Sequence, residues 1–109
     1  WARSVALKTH QILKQCLNKK WLETKDSSLS GIFHLTCQGK TSWHGFAREV
    51  LNMSNTSQNI KLIAIPTSDY PAPATRPHNS LLNNEKIQRV FGLDMPHWED
   101  ALKDCMDSN

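Results

Sequence analysis

Four of the chain's five prolines fall in one stretch, at Pro66, Pro71, Pro73 and Pro77. Proline fixes φ, lacks a backbone donor and pushes the residue before it into extended geometry. The stretch can therefore be neither helix nor ladder strand. It reads as a stiff, extended loop, and any regular structure must be built on either side of it.

Upstream, the hydrophobic period changes repeatedly. Ser4 to about Lys20 reads as an amphipathic helix, with Val5, Ile12, Leu13, Cys16 and Leu17 on one stripe and Lys8, Lys14 and Lys19 off it. Lys25 to Ser30 is a polar turn region. In Gly31–Cys37, Ile32, His34 and Thr36 alternate with Phe33, Leu35 and Cys37, which is strand periodicity. Gln38-Gly39-Lys40 turns the chain, and the hydroxyl of Thr41 or Ser42 caps a second helix. Its stripe is Trp43, Phe46, Ala47, Val50 and Leu51. Asn52 to Asn59 is a polar loop. Ile60–Ile65 is nearly all apolar, as in a strand covered on both faces.

Downstream of the prolines, Leu82-Asn83 opens a third helix with Asn83 as its cap, Ile87, Val90 and Phe91 as its apolar face, and Gly92 as its stop. Pro96 suits the first position of a fourth helix, with Trp98, Ala101, Leu102 and Cys105 on its stripe. The order predicts an α/β fragment, about four helices and two short strands, in a small and mostly parallel sheet covered by helices. Two strands make a poor independent sheet, so they should extend or abut a larger structure.

At 109 residues the chain supports one small domain, 1–109, only marginally stable alone. Its net charge of +3 is spread out, with Lys19-Lys20 the only tight pair, which argues against nucleic acid and suits a small anionic ligand. Three widely spaced cysteines, Cys16, Cys37 and Cys105, read as reduced, core-type thiols of a cytoplasmic protein. No apolar run approaches the ~20 residues of a membrane helix. On a strand His34 and Cys37 point to opposite faces, so no metal site is expected.

Three motifs in order carry a family resemblance. They are Gly31-Ile32-Phe33-His34-Leu35 leading to Thr41-Ser42-Trp43-His44, the stretch from Ile65-Pro66-Thr67-Ser68-Asp69-Tyr70 to Thr75-Arg76-Pro77-His78-Asn79-Ser80, and Leu82-Asn83-Asn84-Glu85-Lys86-Ile87 followed by Phe91-Gly92 and Pro96-His97-Trp98. Together they resemble the C-terminal region of dTDP-4-dehydrorhamnose reductases, which are Rossmann-type extended short-chain dehydrogenases. The resemblance implies NADPH- or NADH-dependent reduction of the 4-keto group of dTDP-4-dehydrorhamnose for surface polysaccharides. It implies a dTDP-sugar substrate and a partner in the protein's own N-terminal Rossmann domain. For the full-length enzyme it leaves a homodimer and Mg2+ open.

The catalytic parts of such enzymes have no counterpart here. There is no Gly-x-Gly-x-x-Gly, and the only tyrosine, Tyr70, is followed four positions on by Ala74, not by the lysine of Tyr-x-x-x-Lys. This fragment is expected to contain no catalytic and no cofactor-binding residues and to be inactive by itself. The candidate substrate-binding residues are Arg76 and Asn79. In related nucleotide-sugar epimerases an arginine at the place of Arg76 contacts the nucleotide diphosphate, and a guanidinium fork suits two phosphate oxygens. Many family members carry two adjacent arginines where this chain has Thr75-Arg76. Without the resemblance Arg76 reads as a surface salt bridge, and Asn79 equally as a turn or cap residue.

Other residues have plainer readings. Tyr70 is a packing residue that anchors the loop, Trp43, Phe46 and Trp98 pack in the core, and His44 is exposed. Glu99, Asp100, Asp104 and Asp107 form a solvated helix face. Two other functions compete: a non-catalytic regulatory protein resembling the regulatory subunit of methionine adenosyltransferase, and a proline-rich peptide ligand for an SH3-type domain.

Overall fold

In the computed structural model, residues 2–18, 23, 27–54, 60–70 and 73–108 are described. Four α-helices lie among them: α1 (Ala2–Asn18), α2 (Trp43–Met53), α3 (Glu85–Phe91) and α4 (Trp98–Asp107). Short 3₁₀ turns occupy Ser27–Leu29 and Thr67–Asp69. The expected end of the first helix at Lys19 and Lys20, the turn at Lys25 and Asp26, the polar loop at 55–59 and Pro71 of the proline stretch lie outside the described residues.

Local chemistry explains the helix ends. Of the two cap candidates, Ser42 is the one used: its Oγ accepts from the Gly45 N–H at 3.1 Å. Gly92 adopts the left-handed conformation, φ 62°, and its N–H bonds the Gln88 carbonyl, closing α3. At the start of α3 the expected cap shifts by one residue. Asn84 holds the cap position but its side chain is engaged elsewhere. Asn83 Oδ1 accepts from the Glu85 N–H at 2.6 Å instead. Pro96 is not the first residue of α4, which starts at Trp98, because the Pro96 carbonyl accepts from the Gln38 N–H at 2.9 Å.

The core is small. Leu29, Ile87, Phe91 and Leu93 are buried together, with Ile12, Cys16, Phe33, Leu35 and Val90 packed against them. The Phe33 and Phe91 rings meet edge to face, centroids 5.2 Å apart. Gln15 Nε2 donates to the Phe91 carbonyl at 2.8 Å, which ties α1 to the end of α3. A second contact packs α2 on α4, with Phe46 and Trp98 ring centroids 5.9 Å apart and Ala101 and Leu102 buried beneath.

Neither predicted strand is a strand. Among the described residues the only β pairing is an isolated parallel bridge between Gln38 and His97. Residues 31–37 keep a strand's alternation of exposure at their start, Ile32 and His34 out, Phe33 and Leu35 in. Their backbone is held by side chains, not by a second strand. Asn84 makes three bonds to Thr36: Oδ1 accepts from its N–H and its hydroxyl, each at 3.2 Å, and Nδ2 donates to its carbonyl at 2.6 Å. Lys86 Nζ donates to the Ile32 carbonyl at 3.0 Å and stands 4.3 Å from the Phe33 ring centroid. Residues 60–65, expected to be covered on both faces, are exposed throughout, with Ile63 at 61%.

Other stripes also lie open. On α1 only Ile12 and Cys16 reach the core, while Val5, Leu13 and Leu17 are exposed. Trp43 is 85% exposed instead of packed, Tyr70 is exposed instead of anchoring its loop, and His44 is half-buried instead of exposed. The radius of gyration is 18.2 Å, where a compact chain of this length has about 13 Å. The surface of 8963 Å² compares with about 6,100 Å² for a compact protein of 12.4 kDa. The amphipathic patterns are real, but much of the surface they were written to bury is uncovered.

Asn84→Ala removes all three bonds to Thr36 and is expected to lower stability by about 1.5–3 kcal/mol, read as a shift of the urea midpoint. A midpoint equal to the parent's would mean that the amide clip does not support the fold.

Candidate substrate-binding loop

The loop between residues 66 and 84 is set by prolines at one end and asparagines at the other. Pro66 is extended and its carbonyl accepts from the Asp69 N–H at 3.0 Å, turning the chain once at Thr67–Asp69. Residues 73–83 are exposed and belong to no helix. Asn79 Oδ1 accepts from the Leu81 N–H at 2.9 Å, Asn83 does the same for Glu85, and Asn84 clips the loop's end to Thr36. Short amide side chains favour such local turns because they imitate a backbone group.

Arg76 lies in this loop, exposed, and makes no hydrogen bond or ion pair with any described residue. The salt-bridge reading thus has no partner among the described residues. Asn79, three residues on, uses its oxygen for the turn, and its amide nitrogen has no protein acceptor there. Both candidates sit on one loop with polar groups turned to no other part of the described chain.

The structure does not carry them into a cavity. An open cleft of about 450 Å³ lies beside the loop's end, lined by residues that include Gln38, Asn83, Asn84, Glu85, Gln88 and Asp94. It holds amides and two carboxylates but no cation, so it opposes a phosphate and suits neutral hydroxyl groups. Arg76 and Asn79 are not among its lining residues.

Sequence reasoning missed Asn84 as the anchor of this loop. The doubled asparagine before an acidic helix start was a signal for a turn, but nothing local points to Thr36, 48 positions away. It also missed the junction at Gly39. That residue has φ +83°, and a Cβ there would run into the imidazole of His97. The His97 ring in turn has Nδ1 3.5 Å from Glu99 Oε2.

Cys16, Cys37 and Cys105 are free and half-buried. Among the described residues no three His, Cys, Asp or Glu side chains gather to hold a metal ion. The residues present do not fit a dinucleotide either. The positive-φ glycines 31, 39 and 92 lie at separate turns, and none forms a glycine-rich opening to a helix. No helix of the described residues is long and apolar enough to cross a membrane.

The model of the family described as the RmlD substrate binding domain matches residues 1–109, and the chain belongs to that family. It is 36% identical to a dTDP-4-dehydrorhamnose reductase of Burkholderia thailandensis over 97% of this chain and 37% of that protein. It is 44% identical to one of Salmonella typhimurium over 69% of this chain and 26% of that protein. The Spore coat polysaccharide biosynthesis protein SpsK of Bacillus subtilis is 30% identical over 70% of this chain and 26% of its own length. The chain thus spans about a quarter to about a third of the curated relatives it matches.

Gly39→Ala is expected to cost about 1–3 kcal/mol. It should cost clearly more than Gly92→Ala, whose added methyl meets nothing within 4 Å. Equal urea midpoints for the two variants would show that the His97 contact does not restrict position 39.

Proposed function

We propose that this chain is the substrate-side part of a dTDP-4-dehydrorhamnose reductase, a Rossmann-type extended short-chain dehydrogenase in which it contributes nucleotide-sugar binding. The observation that carries the reading is the 36–44% identity to proteins of that name, across the family's substrate-binding domain. The reading as a regulatory protein has no such support among the relatives. The Bacillus subtilis relative is named for spore coat polysaccharide biosynthesis, which supports a place for the product in surface polysaccharide synthesis.

In this proposal Arg76 pairs with the diphosphate of the dTDP-sugar. Arg76 is exposed and its guanidinium has no partner among the described residues, and a planar fork bonds two phosphate oxygens at once. The prolines on either side restrict the unbound loop, so less entropy is lost when the ligand docks. The free amide of Asn79 donates to an acceptor on the nucleotide, while its oxygen keeps the turn. NADPH or NADH, held by a separate N-terminal Rossmann domain, supplies the hydride. The residues here bind and orient the sugar nucleotide and take no part in proton or hydride transfer. Homodimerisation and Mg2+, implied by the family resemblance, are to be tested on the full-length enzyme.

In the full-length protein Arg76→Ala is expected to weaken dTDP-sugar binding by about 1.5–3 kcal/mol, measured by calorimetry. Unchanged affinity would remove Arg76 from the diphosphate site. The 109-residue chain should not oxidise NADPH or NADH in the presence of dTDP-4-dehydrorhamnose. Turnover by this chain alone would mean that it carries chemistry assigned here to the Rossmann domain.

A further inference from the structure

Among the described residues, the loop that carries Arg76 is tied to the core from one side only. Upstream, residues 60–70 are exposed throughout, and the turn at Pro66 closes locally, from the Asp69 N–H to the Pro66 carbonyl. Downstream, the side chains of Asn79 and Asn83 bond only near neighbours, Leu81 and Glu85. Leu81 and Leu82 are 58% and 51% exposed, so neither leucine anchors the stretch. The first side chain after Arg76 to reach across the fold is that of Asn84, which bonds the N–H, hydroxyl and carbonyl of Thr36. An amide that engages both the N–H and the C=O of one residue fixes direction as well as position, because donor and acceptor must both align. Thr36 is itself held in place. Phe33 and Leu35 before it pack on the core, and Gln38 after it is bonded to Pro96 and Trp98.

The chain between the clip and Arg76 is short and stiffened. Eight positions separate Asn84 from Arg76. Pro77 disfavours helical geometry at Arg76 and leaves it extended, and the turn at Asn79 redirects the chain before the clip. With its end fixed, the loop samples fewer places for the guanidinium. A ligand that binds only part of a loop's population loses affinity in proportion to that fraction. Restriction before binding also lowers the entropy lost on docking.

We propose that Asn84 is a positioning residue for the diphosphate contact. Its clip to Thr36 holds the loop so that Arg76 is presented to the dTDP-sugar, and it raises affinity without touching the ligand. The proposal rests on the reading above that Arg76 pairs with the diphosphate. Two jobs are thereby divided on one loop. Arg76, which has no partner among the described residues, meets the ligand. Asn84, whose oxygen accepts two bonds and whose nitrogen donates one, sets where that arginine stands. The proposal also accounts for an asparagine that holds the cap position of α3 and makes no capping bond.

The test is a double-substitution cycle in the full-length protein, with dTDP as the titrant and calorimetry as the readout. Four proteins are compared: the parent, Arg76→Ala, Asn84→Ala and the two changes together. Asn84→Ala is expected to weaken dTDP binding about 5- to 20-fold in the parent, and less than about 2-fold once Arg76 is alanine. General loosening of the fold weakens binding to the same degree in both backgrounds, so only the coupling reports positioning. Where Asn84→Ala does not fold, Asn84→Ser takes its place with the same expectation. Serine suits a helix start but is too short to span both backbone groups of Thr36. Equal losses in both backgrounds, or no loss in the parent, would overturn the proposal and leave the Arg76 reading standing. If Arg76→Ala alone leaves dTDP affinity unchanged, the diphosphate reading falls and this proposal falls with it.

Discussion

One amide side chain holds the two halves of this chain in register. Asn84 stands at the start of α3 and bonds the N–H, carbonyl and hydroxyl of Thr36, 48 positions earlier. In doing so it takes the place of a strand neighbour. The backbone sees the same donor and acceptor it would meet in a ladder, presented from a helix. Around this clip the rest of the contact is built: Lys86 on the Ile32 carbonyl, Phe33 edge-on to Phe91, and the Gln38–His97 bridge to α4. The same residue also fixes where the proline-asparagine loop rejoins the fold, so the loop's exit is set by the core.

The architecture that results is a thin one. A cluster of four buried side chains is joined to a second small contact between α2 and α4. Several apolar stripes find no layer to pack against. The hydrophobic effect scales with the area removed from water, so a residue such as Ile63 or Trp43, left in solvent, contributes little to folding here. Membership of a family known as a substrate-binding domain, and coverage of only part of each reductase it matches, make the same point from another direction. Under the proposed function, the rest of the same enzyme is the layer these surfaces pack against.

Function divides along the same line. The glycine turn that would hold a dinucleotide is absent from the chain's sequence, and the positive-φ glycines serve other turns. What the chain offers a ligand is an exposed loop on which Arg76 and the amide nitrogen of Asn79 have no partner among the described residues. The neighbouring cleft, with Glu85 and Asp94 in its lining, is electrostatically wrong for phosphate. The division of labour proposed above, with a nucleotide sugar held here and the chemistry performed elsewhere, rests on these residues.

The sequence by itself determined the four helices, the cap at Ser42, the stop at Gly92 and the irregularity of the proline stretch. These depend on neighbours within a few residues, where side-chain spacing and φ preferences act directly. It also carried the motifs of the reductase family and located the candidate loop. Only the tertiary structure decided that residues 31–37 are held by Asn84 and Lys86 instead of by a strand, and that Ile60–Ile65 and Trp43 lie open. Periodicity records which side chains are meant to face together. It cannot say what covers them, because burial and strand pairing depend on groups distant in sequence.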